Sequence, residues 1–222
     1  MIWNKQFEYP NSQRSIKGEY DITKMLLPSV TTVLNATQPL EKQNSLDKWV
    51  KRVGEDEATR IKEQAASRGT NMHKHLEHHI LGQGHLDLTE EGKTAKSMAD
   101  TIIEKGLCDL SEIWGSEVVL FYPGLYAGQT DLVGTYDYED SIIDFKSSNK
   151  LKRKEWIEDY FLQLGAYAMA HNQVYGTQIT QGVILMCTPE MQFQKFQIKG
   201  QKFIEYQHQF LAKVDQYYKM FK

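Results

Sequence analysis

A change of pattern at Ile113 constrains the fold of this chain more than any other sequence feature. The preceding part is charged and favours helices, whereas the following part alternates short β-branched or aromatic segments with turn residues. Five strands are predicted there, at 113–121, 126–136, 141–146, 179–187 and 191–198. Helices are predicted from Lys154 to Tyr175 and from Lys202 to Met220. Adjacent strands form hairpins and a crossover helix covers one face, so this order predicts an α/β fold.

The N-terminal part is predicted to be an arm followed by helices. Residues 1–27 are polar and mixed, which is typical of an irregular arm or a short hairpin. Helical segments are expected after Ser29 as N-cap, from about Gln43 to Leu81 with breaks near Gly54 and Gly69, and after Thr89 as N-cap. We therefore expect an arm and helical cap over 1–66 and a core over 67–222, in one integrated domain.

Composition narrows the class of protein. Hydrophobic residues make up 41% of the chain, which is enough for a substantial core, and no apolar run has the length of a bilayer span. The first residues carry acidic side chains and no apolar signal segment, so an intracellular protein is expected, in the cytoplasm or in that of a phage-infected host. Cys108 and Cys187 lie among apolar residues and are expected to be buried free thiols.

The net charge of −3 gives the chain no global positive field to attract nucleic acid. Basic residues are nevertheless clustered between Lys146 and Lys154. An enzyme that binds divalent cations also needs acidic residues, which offset a local basic surface. Charge alone therefore leaves a nucleic-acid partner open.

One predicted hairpin brings acidic and basic side chains together. Side chains alternate along a strand, so Asp144 and Lys146 share a face while Phe145 points to the core. If residues 137–140 form a four-residue loop, Asp144 pairs with Val133 and has Asp131 as a diagonal neighbour, about 7–8 Å away. The two carboxylates then reach the same space.

This arrangement suits hydrolysis of a phosphodiester. Carboxylate oxygens recruit Mg²⁺, which lowers the pKa of bound water, and a lysine beside it can orient the water or add positive charge at the phosphate. The same Asp-x-Lys triplet also forms ordinary ion pairs at strand ends. Its hairpin partner Asp131 favours the functional interpretation.

Five motifs in fixed order carry a resemblance to a known family. They are Pro28-Ser-Val-Thr-Thr-Val-Leu34, Arg68-Gly-Thr-Asn-Met-His73, Gly128-Gln-Thr-Asp131, Asp144-Phe-Lys-Ser-Ser148 and Gln163-Leu-Gly-Ala-Tyr167. From about residue 28 onward the chain resembles the RecB-like branch of the PD-(D/E)XK nucleases, in particular the group of mitochondrial genome maintenance exonucleases and their phage and bacterial relatives. The resemblance implies a restriction-endonuclease-like core, with a mixed sheet flanked by helices, and Mg²⁺- or Mn²⁺-dependent cleavage of DNA.

The resemblance also implies roles for individual residues. The implied metal ligands are His73, Asp131, Asp144 and the backbone carbonyl of Phe145, with Lys146 as catalytic lysine. The implied supporting residues are Gln163 and Tyr167, which order the site and contact DNA, Glu117, which binds a second metal or positions water, and Ser147 and Ser148, which contact phosphates. Several relatives carry a four-cysteine iron–sulfur cluster, for which this chain lacks the cysteines.

Other polar residues leave alternatives open. Arg68 is either a phosphate contact or a helix cap, and Lys150, Lys152, Arg153 and Lys154 form either a phosphate track or a solvated face. One of Trp156, Tyr160 and Phe161 could stack on a base instead of packing in the core, and Lys48, Lys51, Arg52 and Arg60 could extend the track. His75 and His79 have i, i+4 spacing, which suits zinc or a solvated helix face.

The function expected is exonucleolytic hydrolysis of single-stranded DNA ends in replication, recombination or repair. Exonuclease activity and single-strand preference follow from the resemblance alone. A structure-selective or nicking endonuclease on the same core is the first alternative, and an idle DNA-binding subunit is the second. Candidate partners besides DNA are a recombinase or a single-strand binding protein, and no membrane partner is expected.

Overall fold

The computed structural model describes residues 2–221. The strands are β1 (Ile2–Trp3), β2 (Glu19–Ile22), β3 (Met25–Pro28), β4 (Leu110–Tyr122), β5 (Tyr126–Tyr136), β6 (Glu139–Ser147), β7 (Gln181–Cys187) and β8 (Phe193–Lys199). The helices are α1 (Val30–Ala36), α2 (Leu40–Val53), α3 (Glu55–Ile80), α4 (Glu90–Gly106), α5 (Glu158–Tyr175) and α6 (Gly200–Met220). Short 3₁₀ turns precede β4 and α5.

A six-stranded mixed sheet forms the centre of the molecule, in the order β1-β4-β5-β6-β7-β8. The hairpins β4–β5 and β5–β6 are antiparallel, β7 pairs in parallel with β6 after the crossover through α5, and β8 returns antiparallel to β7. The predicted α/β class, with a mixed sheet flanked by helices, is confirmed.

The two faces of the sheet are covered by different helices. Val133 and Ile142 point to one face and join a core that contains α1, α5 and α6. Their chain neighbours Leu132 and Ile143 point to the other face, where the core contains α3 and α4. This alternation is the period-2 pattern of the strands, and it sandwiches the β5–β6 hairpin between two apolar layers.

The N-terminal part contains the short hairpin that was predicted as one alternative. The strands β2 and β3 pair with each other, and Tyr20, Ile22 and Leu27 pack against Val119 and Ala127 of the central sheet. None of the residues of α2 is buried, and an ion pair between Lys42 and Asp159 connects α2 to α5.

Both predicted N-caps are confirmed. The Ser29 hydroxyl accepts a hydrogen bond from the Thr32 amide, and the Thr89 hydroxyl accepts one from the Gly92 amide, each at 3.0 Å. Such bonds satisfy amides that have no partner within the helix.

The predicted helix break at Gly69 is wrong, whereas the break at Gly54 is present. The helix α3 continues through Gly69, whose missing side chain faces Ser147, 3.8 Å from the position a Cβ would take. A glycine inside a helix costs about 1 kcal/mol relative to alanine, which tertiary packing readily offsets. The division expected after residue 66 falls inside this helix and stays a prediction.

Two further expectations are corrected. The β5–β6 connection is a two-residue turn of Asp137 and Tyr138, both with positive φ, because Tyr136 pairs directly with Glu139. Cys187 is buried as expected, but Cys108 is exposed, because it lies in the 3₁₀ turn that enters β4. Along residues 2–221, no helix combines the length and apolar character that a bilayer crossing requires.

Candidate active site

The open end of the β5–β6 hairpin places two carboxylates side by side. The backbone pairing runs from the turn to Leu132 and Ile143, and this register brings Asp131 level with Asp144. The predicted pairing of Asp144 with Val133 is therefore wrong by two residues, because the loop is two residues shorter than expected. Past the paired residues, the Asp131 Oδ2 atom accepts a hydrogen bond from the Phe145 amide at 2.6 Å.

Asp144 and Lys146 form an ion pair on β6, with 2.5 Å between Asp144 Oδ2 and Lys146 Nζ. Asp144 is only 2% exposed. Burial raises its pKa to about 6, although the Lys146 ammonium acts in the opposite direction. The Asp144 Oδ2 atom therefore has the Lys146 ammonium as a cationic partner, and a bound metal would share this carboxylate with it.

The helix α3 adds an imidazole to this group. His73 Nδ1 lies 3.4 Å from Asp131 Oδ1. Burial lowers the pKa of His73, but the Asp131 carboxylate outweighs burial and raises it to about 9. In return, burial raises the pKa of Asp131 while the His73 imidazolium lowers it, and the net shift is downward.

A third carboxylate comes from β4. The pairs Ser116–Leu132 and Val118–Thr130 bracket Glu117, which puts it level with Asp131. Glu117 has a φ of 52°, in the left-handed region that residues other than glycine rarely adopt. Burial and the nearby Asp131 charge raise the pKa of Glu117 to about 8.

Three of these side chains could bind one cation together. Within residues 2–221, one group of potential ligands comes together: an imidazole nitrogen of His73 and carboxylate oxygens of Glu117 and Asp131, all within 4.8 Å of one another. The group does not include Asp144, which contacts Lys146 instead. One nitrogen and two oxygens suit a divalent ion, which would also offset the repulsion between the two half-buried carboxylates. The donor set therefore fits the metal that the sequence predicts.

Two side chains of α5, Gln163 and Tyr167, contact each other behind β5. Gln163 Nε2 donates a hydrogen bond to the Tyr167 hydroxyl at 3.0 Å, which is the contact expected from their i, i+4 spacing. The Tyr167 ring lies against Gly128, and a Cβ on this glycine would lie 2.7 Å from Tyr167 Cε1. The glycine of the Gly-Gln-Thr-Asp motif is therefore required for α5 to approach β5 so closely.

A cleft of about 360 Å³ opens beside the ligand group. The residues that line it are Gly69, Thr70, His73, Lys74, Glu77 and Glu117. Sequence reasoning gave no site role to Thr70, Lys74 or Glu77. Helical spacing could have indicated two of them, since Thr70 and Glu77 lie three and four residues from His73 and share its helix face.

None of the residues predicted to bind DNA lines this cleft, and Arg68 lines a separate one with Gln64 and Glu90. Ser147 is half-buried beside Gly69, whereas the buried Ser148 hydroxyl donates to the Lys150 carbonyl at 2.7 Å. Arg68 donates a hydrogen bond to the side chain of Asn149. These three roles stay predictions.

The basic segment 150–154 after β6 is held through its backbone, and most of its charged side chains are exposed. The Lys152 amide donates to the Gln194 side chain at 2.7 Å, and the exposed Arg153 guanidinium lies 5.3 Å from the centre of the Trp156 ring. The Lys146 ammonium lies 5.1 Å from the centre of the Tyr160 ring. Phe161 belongs to the core and so is unavailable to stack on a base.

The zinc alternative gains no support from the described residues. His75 is buried with its ring 4.5 Å from that of His85, whereas His79 is exposed. In the range 2–221 these histidines are not part of a group of three converging ligands.

The amino-acid sequence is similar to those of known proteins. No family model matches the chain. Mitochondrial genome maintenance exonuclease 1 of Xenopus tropicalis is 30% identical over 171 residues, which cover 72% of this chain and 48% of that protein. The Homo sapiens protein of the same name is 28% identical over 188 residues, covering 80% and 54%. The chain thus spans about half the length of the curated relatives it matches.

Solved structures give a more distant likeness. An alkaline exonuclease from Laribacter hongkongensis is 12% identical, with 87% of this chain and 90% of that chain covered and a TM-score of 0.33. Because this score is low, the relationship is carried by the sequence relatives and not by the superposition.

Proposed function

Since the chain is related to the PD-(D/E)XK-like nucleases, we propose that it is a metal-dependent deoxyribonuclease. More specifically, we propose an exonuclease that acts on single-stranded DNA ends. One observation carries the proposal: ligand atoms of His73, Glu117 and Asp131 converge within 4.8 Å, next to the ion pair of buried Asp144 with half-buried Lys146. An imidazole and carboxylates that can hold a metal, with a lysine close by, are groups that metal-assisted phosphodiester hydrolysis uses.

The side chains that would hold Mg²⁺ or Mn²⁺ are those of His73, Glu117, Asp131 and Asp144, with the Phe145 carbonyl as a further ligand. When bound, the ion supplies a Lewis acid that activates water and neutralises charge on the phosphate. The protein prepares this site through the Phe145 amide, which fixes the Asp131 carboxylate at 2.6 Å. A fixed carboxylate loses little conformational freedom when it binds a cation.

Lys146 is proposed to act on the reacting phosphate or on the attacking water. Burial lowers the pKa of Lys146, but the Asp144 and Asp131 carboxylates outweigh burial and raise it, so the ammonium stays charged near neutral pH. A positive charge held at this position stabilises the negative charge that develops on the phosphate in the transition state.

Further residues are proposed to order the site and bind the strand. Gln163 and Tyr167 support β5 from α5, and Arg68, Ser147, Ser148, Lys152 and Arg153 contact the sugar–phosphate backbone. The cap over 1–66 is proposed to cover the cleft, so that only a free end enters. An intracellular location, a role in replication, recombination or repair, and a recombinase or single-strand binding protein as partner belong to the same proposal.

The test uses end-labelled linear single-stranded DNA, linear duplex and circular single-stranded DNA, each with Mg²⁺, with Mn²⁺ and with EDTA. Wild type is compared with Lys146→Ala and with Lys219→Ala, which removes the same charge from an exposed position near the end of α6. We expect metal-dependent shortening of linear single strands, no cleavage of circles, loss of activity in Lys146→Ala and full activity in Lys219→Ala.

Cleavage of the circles would replace the exonuclease with an endonuclease on the same core. DNA binding without cleavage of any substrate in either metal would overturn the enzyme and leave a binding module. Equal activity of Lys146→Ala and wild type would reject the assigned lysine.

A further inference from the structure

Glu117 occupies an unfavourable position for a carboxylate. It lies level with Asp131 on the neighbouring strand, and like charges directly opposite each other destabilise a strand pair. Its backbone is in the left-handed region at a φ of 52°, inside a strand. Without a specific restraint, the Glu117 side chain would therefore turn away from Asp131 toward solvent.

Gln129 supplies such a restraint. The Gln129 side-chain nitrogen donates to Glu117 Oε2 at 2.7 Å and to the Glu117 backbone carbonyl at 3.2 Å. Gln129 pairs with Val119, so it is the diagonal neighbour of Glu117 across the β4–β5 ladder, within reach of a long side chain. One amide thus holds both the carboxylate and the unusual backbone of the same residue.

We propose that Gln129 is a positioning residue that fixes Glu117 beside Asp131 and His73, and thereby strengthens cation binding at this group. The inference rests on the proposed metal-dependent function. A primary amide suits this role because its two N–H groups serve two acceptors and it adds no charge beside the two carboxylates. Side chains that orient metal ligands in this way typically change metal affinity by about 10–100-fold when they are removed.

The geometry separates this role from general support of the fold. Gln129 is exposed, whereas its chain neighbours Gly128 and Thr130 are buried. Its side-chain hydrogen bonds in the described structure both go to Glu117. Removal of the amide should therefore act through Glu117 and leave the cores on both faces of the sheet unchanged.

The experiment measures Mn²⁺ binding by calorimetry without DNA, so that it does not depend on nuclease activity. The variants are Gln129→Met, which keeps the length but has no donors, Glu117→Gln, and the double variant. Gln178→Met is the matched control, since Gln178 is exposed and distant in sequence from the site. Thermal unfolding of each variant verifies that it is folded.

We expect Gln129→Met to weaken Mn²⁺ binding about ten-fold and Gln178→Met to leave it unchanged. In the Glu117→Gln background, Gln129→Met should add no further loss, because its effect passes through the carboxylate that is already absent. Gln129→Ala repeats the comparison with a smaller side chain.

Unchanged Mn²⁺ affinity in both Gln129 variants would overturn this inference and leave the proposed nuclease intact. An equal additional loss in the Glu117→Gln background would also overturn it, since Gln129 would then act independently of Glu117. Failure of wild type to bind Mn²⁺ would reject the metal site itself, and with it the proposed function.

Discussion

Two histidines on opposite faces of the sheet, half-buried His73 and buried His171, show how neighbours decide the protonation of the same side chain. His73, on α3, lies 3.4 Å from Asp131, and its pKa is raised to about 9. His171, on α5, lies among aromatic rings, with the ring centres of Phe7 and Tyr175 at 4.8 and 4.7 Å. Burial lowers the pKa of His171 to about 4.

Burial alone favours the neutral imidazole, as at His171, because an apolar environment solvates charge poorly. Around His73 the nearby carboxylates, Asp131 above all, reverse that preference. Carboxylates that lie this close together repel one another, and a bound ligand explains their arrangement better than a contribution to stability does. The His171 region is satisfied by the protein itself, through Tyr9 and Thr177. The contrast predicts that substitutions around His73 reduce activity, whereas substitutions around His171 reduce stability.

The largest effect is expected for Asp131→Asn. Asparagine keeps the shape but removes the charge shared by His73, the Phe145 amide and a bound cation, so nuclease activity should fall by about 10³-fold. The measurement is the initial rate of cleavage of end-labelled DNA. Asp140→Asn, at the turn end of the same hairpin, is the control and should retain activity. Similar cleavage rates for the two variants would contradict the assignment of the active site to the open end of the hairpin.

His171→Ala should destabilise the protein by about 3 kcal/mol, because it empties a space among packed rings. Activity per folded molecule should stay at the wild-type level. Urea unfolding gives the first quantity, and cleavage rates at low temperature give the second. His73→Ala should show the reverse pattern, with activity lost and little change in unfolding, and a shared pattern would contradict the comparison.

The stability of the protein should depend on pH through His171. The unfolded imidazole binds a proton below its ordinary pKa of 6.5, whereas the folded one resists protonation until about pH 4. The unfolded state therefore binds more protons in this window, and stability falls as pH decreases from about 6.5 to 4. Between pH 7 and 4.5, His171→Gln should lose about 2 kcal/mol less than wild type in urea titrations. Parallel pH profiles would show that His171 does not contribute.

The smallest effect is expected for Tyr9→Phe. This change removes the hydrogen bond between the Tyr9 hydroxyl and His171 Nε2 at 3.1 Å, so unfolding should become easier by about 1 kcal/mol. Because burial is the cause of the low pKa of His171, the acid-dependent loss of stability should remain. If the pH dependence disappeared with the hydroxyl, hydrogen bonding and not burial would explain the shifted pKa.

Strand periodicity made part of the site predictable. The loop between β5 and β6 is two residues shorter than expected, and an error of two leaves every side chain on its original face. Asp131 and Asp144 were therefore placed on a common face despite the wrong register. An error of one residue would have separated them.

Other features depend on contacts that local sequence does not encode. The break predicted at Gly69 followed from helix propensity, which the packing of α3 against β6 overrides. The φ of 52° at Glu117 and its contact with Gln129 arise from pairing between strands, so neither residue type reveals them. Gln129 lay within a motif used to establish the resemblance, yet only the structure gives it a partner.

The unbroken course of α3 has a mechanical consequence. Glu55 and Met72 are 17 residues apart on this helix, a distance of about 25 Å along its axis. Ala58 in its first turn is buried, Gly69 faces Ser147 of β6, and Met72 belongs to the core next to His73. Because one continuous helix carries all of these contacts, a displacement of its N-terminal half would shift the imidazole as well.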